Sequence, residues 1–183
     1  MNVVQKKSGP LRAVQEPRIN VGSGSLQLLE LELAGQSYGI PVRDVQEVVP
    51  MVELVGSPDL PAVIAGFLNL EGKMIPVLRL DRMLRQADRP TGIYTPLIIL
   101  RTQGGRLALI ADRVSRIRTV AEEEVLPLPE NHSFNDCVVG MVTSSERVLL
   151  VLMPARLLLQ KEQKCVTELQ NREHERLLAM GGA

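Results

Sequence analysis

The run from Gly66 to Leu84, GFLNLEGKMIPVLRLDRML, constrains this chain more than any other, because one span holds two strands, a tight turn and a helix start. Leu68 and Leu70 lead in, Glu71-Gly72-Lys73 turns, and Met74 to Leu80 lead out. Glycine supplies the backbone angle such a turn needs, and apolar residues on both flanks give each strand a face to bury. The spacing therefore predicts a β-hairpin. Pro76 has no N–H for a ladder, which places the outgoing strand at a sheet edge or bulge. Asp81 fits an N-cap, opening a short helix through Arg82, Met83 and Leu84.

Similar units recur on either side. Leu29, Leu31 and Leu33 alternate with Glu30 and Glu32, the period of a half-buried strand, and Gly35 turns the chain into Tyr38-Gly39-Ile40. One helical turn after Pro41 and an extended run at Val48-Val49 follow, and SPDLPAVIAG reads as a loop and a short helix ending at Gly66. Leu97 to Leu100, turned by Gln103-Gly104-Gly105 into Leu107 to Ala111, is a second hairpin; Val114 and Ile117 continue into another extended piece. CVVGMVTSSERVLLVLM is a third hairpin, after which Pro154 opens a short helix.

Sliding the sequence on itself shows that the echo is ordered. Gly66 meets Gly140, Lys73 meets Arg147 and Arg82-Met83-Leu84 meets Arg156-Leu157-Leu158 at one offset of 74 positions (66 to 140). At a slightly different offset Gly39-Ile40 and Val45 to Val48 match Ala108-Leu109 and Val114 to Ile117. Two amphipathic hairpins share alternation by chance, but two matches in the same order favour duplication. The expectation is two similar small β-barrels with a groove where they meet.

Composition narrows the function. Lys plus Arg equals Asp plus Glu at 21 each and aromatic residues are 2% of the chain, which argues against nucleic-acid binding. No apolar run approaches the roughly 20 residues of a membrane span, so direct membrane insertion is not expected and the protein is read as cytoplasmic. Cys137 and Cys165 suggest neither a disulfide framework nor a zinc site. His132 and His174 stand apart in polar segments, Ser144 and Ser145 fall in a hairpin turn, and the adjacent carboxylates Glu122, Glu123 and Glu124 diverge on any regular element. No catalytic, metal or cofactor site is expected. Open strands and a groove point to binding instead.

The ordered pattern Tyr38-Gly39-Ile40, Val45-Gln46-Glu47-Val48, Asn69-Leu70-x-Gly72, Ile75-Pro76-Val77, Ala111-Asp112-x-Val114 and Gly140 resembles the CheW-like domains of bacterial chemotaxis arrays, over residues 26 to about 159. The resemblance implies an all-β fold with short helices, made of two five-stranded, SH3-like β-barrel subdomains sharing a groove. It also implies a non-catalytic adapter between the regulatory domain of a CheA-type histidine kinase and the cytoplasmic tip of a chemoreceptor. On that reading Val45, Glu47, Val114 and Ile117 would contact the receptor, while Gly66 would lie towards the kinase and Glu71 in a contact-making turn. The residues alone leave open that Val45, Val114 and Ile117 are core side chains. The other functional class left open is a small-molecule-binding β-barrel sensor.

Glu71 stands where the family usually has an arginine, and Arg79 where it usually has an aspartate. Both reversals suggest a distinct partner set, as in chemosensory systems for surface motility. Residues 1–25 read as a flexible tail. Residues 160–183 read as a helical extension with Val166, Leu169, Leu177 and Met180 on one stripe interrupted by Glu173.

Overall fold

The computed structural model describes residues 24–56, 60–129, 133–144 and 147–180. The tail expected over 1–25, and the readings of His132 and Ser145, lie outside this range, apart from Gly24 and Ser25. In chain order the strands are β1 (Ser25–Leu33), β2 (Gln36–Pro41), β3 (Val45–Pro50), β4 (Ile64–Leu70), β5 (Lys73–Leu78), β6 (Pro96–Thr102), β7 (Gly105–Ile110), β8 (Arg113–Ala121), β9 (Leu126–Pro127), β10 (Val138–Thr143) and β11 (Val148–Leu152). The helices are α1 (Leu80–Met83) and α2 (Gln160–Met180), with single 3₁₀ turns at Val42–Asp44, Glu122–Glu124, Phe134–Asp136 and Pro154–Arg156.

The strands form two sheets, ordered β8-β1-β2-β11-β10-β9 and β3-β6-β7-β5-β4. The second has the five strands expected; the first has six because Leu126–Pro127 adds a short strand to its edge. All three hairpins are present. The turn of the β4-β5 hairpin puts positive φ at both Glu71 and Gly72, the mirror-image turn that matches strand twist, and the Gly72 N–H donates to Asn69 Oδ1.

The duplication is visible in the register. Val45 pairs with Leu100 and Val114 with Leu31, partners 69 positions apart in both strands (45 to 114, 31 to 100). The same bulge follows in each ladder, after which Val48 pairs with Ile98 and Ile117 with Leu29. In the later part, Val77 pairs in parallel with Ala108, and Val151 with Gly39. Each repeat therefore sends its first hairpin into the sheet of the other, β1-β2 to the six-stranded sheet and β6-β7 to the five-stranded one. Neither half can bury its apolar faces without its sibling.

Three apolar clusters follow from this exchange. Leu68, Ile75, Val77, Leu97, Ile99 and Ala108 fill the five-stranded subdomain, and Leu28, Val120, Val142, Leu149 and Val151 fill the six-stranded one. Between them Leu31, Ile40, Leu78, Leu100, Leu109 and Leu152, drawn from the opposite faces of strands, form a shared core with Leu80 of α1. Period-two alternation with both faces apolar makes this possible. Cys137 lies buried in the shared core and burial pushes its thiol up; Cys165 is exposed, and both are free.

Four local expectations need correction. The segment before Gly66 is a turn at Ala62-Val63 among the described residues, not a helix, and Gly66 lies inside β4. Pro76 is on an interior strand, since β5 runs between β4 and β7. It is tolerated because pairing with β7 begins at Val77, one residue beyond the proline. Asp81 is not an N-cap: Arg79 holds that position, and the buried Asp81 carboxylate sits within α1, accepting from Arg79 Nε at 2.9 Å and the Arg82 N–H at 3.0 Å. The helix after Pro154 is a single 3₁₀ turn.

The C-terminal helix packs on the sheets. Val166 joins the shared core, Leu169 meets Phe67 and Met74, and the Gln170 side-chain amide donates to the Met74 carbonyl. Glu173 is buried like Val166 and Leu169, 3% exposed and bonded at 2.8 Å to Arg176, while the expected Leu177 and Met180 side chains lie outside the described residues.

Candidate functional site

The residues expected to meet partners fall on two regions. Val45 and Glu47 lie on β3, which ends the five-stranded sheet, and Val114 and Ile117 lie on β8, which ends the six-stranded sheet. Val45 and Val114, equivalents in the two repeats, both pack their inner faces on the shared core while remaining half-exposed. The structure thus sets two edge strands at the margins of one core, each with a bulge that breaks its ladder beside the valine. Edge strands leave backbone groups for another chain. Glu47 is exposed, and Ile117 is 57% exposed, too open for a core side chain. The core alternative fits Val45 and Val114 in part and fails for Ile117.

Gly66 and Glu71 belong to the second region, the β4-β5 hairpin at the other end of the five-stranded sheet. Gly66 is buried at a bulge with φ of +154°, and a Cβ there would lie 2.9 Å from the Val55 carbonyl oxygen. Val55 pairs with Phe67 through two backbone hydrogen bonds of 2.8 Å, which covers this stretch of the β4 edge. Gly66 therefore shapes the strand, and a partner would meet its neighbours before it. Glu71 is exposed at the turn, bordering a cleft of about 470 Å³ lined also by Lys73, Arg106, Gln170 and His174.

Arg79 is answered within the chain. Its guanidinium pairs with Asp81 and lies 3.8 Å from Asp88, its side chain 13% exposed. Burial pushes the Asp81 carboxyl up, but the bonds from Arg79, Arg82 and Arg89 outweigh burial and hold it below the usual carboxylate value. Of Glu71 and Arg79, only Glu71 is exposed.

The sequence reading missed a third surface. Arg113, Arg116 and Arg118 on β8 and Arg147 beside β11 border a cleft of about 530 Å³ with Glu30 and Glu32 of β1. Arg113 pairs with Glu32 at 2.8 Å, and Glu30 holds Arg116 at 2.7 Å and Arg118 at 3.4 Å. A position-by-position comparison of the repeats would have exposed it. Among the described residues no group of three or more His, Cys, Asp or Glu side chains could hold a metal ion, and no helix is long and apolar enough to cross a membrane.

Comparison with known proteins fits this geometry. Chemotaxis protein CheW of Treponema pallidum is 28% identical over 160 residues, covering 84% of this chain and 94% of that protein. Protein FrzA of Myxococcus xanthus is 28% identical over 70% of this chain and 82% of its own length. The crystal structure of scaffolding protein TtCheW from Thermoanaerobacter tengcongensis superposes with a TM-score of 0.68 at 27% identity, covering 73% of this chain and 92% of that one. The CheW-like domain itself matches residues 27–162, most of the chain, and the protein belongs to the CheW-like domain family.

Proposed function

We propose that this protein is a non-catalytic scaffold of a bacterial chemosensory pathway, coupling chemoreceptors to a CheA-type histidine kinase in the cytoplasm. The observation that carries the reading is the pair of bulged edge strands β3 and β8, presented at the margins of one rigid core. In this reading Val45, Glu47, Val114 and Ile117 receive the receptor's cytoplasmic tip, Ile117 being the exposed apolar anchor. The β4-β5 hairpin, shaped by Gly66 and tipped by Glu71, faces the kinase regulatory domain. The exposed acid at Glu71 favours a kinase that presents Arg or Lys there, which is how a dedicated, variant pathway would keep its components apart. The likeness to the scaffolding protein TtCheW supports the role.

The test is co-purification of the tagged protein from its native cell, with the kinase and a receptor expected among the captured proteins. A small-molecule sensor would instead show a raised melting temperature with a metabolite and no protein partner. That result would replace the scaffold reading.

A further inference from the structure

The two repeats serve as each other's control. In the five-stranded subdomain Ile99 is fully buried, and Val49 and Leu70 pack on the same cluster. The equivalent positions in the six-stranded subdomain, by the register above, are Glu30, Arg118 and Ser144. Three apolar positions at one end of a barrel-like core have thus become an acid, a base and a hydroxyl, and all three line the 530 Å³ cleft. Exchanging well-packed apolar groups for half-buried charges gains little stability, so the substitution calls for another reason.

The charges do not balance. Glu30, its side chain 13% exposed, is shared by Arg116 and Arg118, and one carboxylate cannot neutralise two guanidinium groups. Glu32 answers Arg113, and among the described residues Arg147 makes no ion pair. Among the described residues of the lining, four arginines stand against two glutamates, an excess of two positive charges. The cleft crosses β8, β1, β2 and β11 rather than the free edge of β8, and Leu31 and Leu149 contribute apolar lining. A groove that crosses several strands accommodates an extended chain, and arginine forks accept carboxylates.

We propose that this cleft is a docking site for an acidic, extended segment of a partner protein, with Arg113 and Arg147 reaching its carboxylates and Glu30 orienting Arg116 and Arg118. The inference does not depend on which proteins are the kinase and the receptor. It is tested with the full chain and a fluorescent octaglutamate peptide, by anisotropy at low and at physiological salt. Saturable binding that weakens with salt is expected, with backbone NMR shifts at Ser115 and Ser144. The Arg113→Gln/Arg147→Gln variant, both side chains being exposed, should bind about tenfold more weakly, and Arg101→Gln, on the sibling subdomain, should bind as the wild type does. Absence of binding, equal binding by the double variant, or shifts elsewhere on the protein would overturn the proposal. Citrate displacing the peptide at the peptide's own affinity would also overturn it, by showing a small-anion site.

Discussion

Gly66 and Gly140 occupy the same bulge in the two halves, each with a carbonyl oxygen where a side chain would begin: Val55 O at 2.9 Å from a Cβ on Gly66, Leu126 O at 2.8 Å from one on Gly140. The strands supplying those carbonyls correspond too, since Val55 pairs with Phe67 and Leu126 with Met141. Both glycines exist to let a third backbone close on the hairpin. Gly66→Ala and Gly140→Ala should each cost about 1–3 kcal/mol, read by thermal or urea unfolding. Gly66→Asp should cost more and lose partner binding together with the fold. A Gly66→Asp variant with wild-type stability and impaired kinase binding would move Gly66 from the architecture to the contact surface.

Glu71 offers a cleaner probe of contact. Its φ is +54° at an exposed turn, where Glu and Arg, both unbranched at Cβ, carry similar strain, so Glu71→Arg should leave the melting temperature within a few degrees of wild type. Binding to the cognate kinase should fall, and binding to a kinase adapted to an arginine-bearing turn should rise. A desolvated pair would change affinity by about 2–5 kcal/mol and a rim pair by much less. Equal affinities for both proteins would mark the turn as solvated surface.

The C-terminal helix is expected to matter for stability. The sequence reads as a helical extension without saying what it packs on; in the structure Val166 and Leu169 are buried against the shared core and the β4-β5 hairpin. Burying each such side chain contributes about 1.5–3 kcal/mol. A chain ending at Leu159 should therefore unfold at a clearly lower temperature, and Leu169→Ala alone should cost about 2–5 kcal/mol. An unchanged melting temperature for both would show that the helix merely rests on the sheets.

Asp81 sets an acid limit. Its carboxyl is held below its unfolded value, so the unfolded chain takes up the proton first as the pH falls. The stabilisation is complete above the unfolded value of about 3.9 and is lost as the pH drops through the folded one. Asp81→Asn should be less stable than wild type at neutral pH, and the gap should narrow below about pH 4. Arg79→Asp should destabilise strongly by setting two carboxylates together. A constant gap from pH 7 to pH 3 would mean the aspartate acts by packing alone.

The architecture was legible because periodicity and duplication are written in every strand but the two-residue β9: the three hairpins and the Gly66–Gly140 correspondence need no tertiary information. What failed was the reading of single polar residues. Asp81 looks like an N-cap in sequence, and only the fold brings Arg79 and Arg89 round to bury it. Pro76 looks like an edge marker, but the parallel strand β7, which comes from the other repeat, starts its pairing one residue later. Glu173 looks like a break in a stripe until Arg176 is seen beside it. Arg113, Arg116 and Arg118 stand together in the sequence, but a net charge of zero gives them no weight there, and Glu30, Glu32 and Arg147 join them only when β1, β8 and β11 are brought together.

Coupling of a receptor to its kinase through the edges of β3 and β8 is tested most directly by kinase autophosphorylation with radiolabelled ATP in the presence of the cognate receptor fragment. Wild-type protein should raise the rate without itself acquiring label. Ile117→Asp, which places a charge on the exposed anchor of β8, should keep its melting temperature, keep its binding to the isolated kinase and lose the receptor-dependent increase. Full stimulation by Ile117→Asp, or no stimulation by the wild-type protein with a receptor and kinase that co-purify with it, would contradict that coupling role.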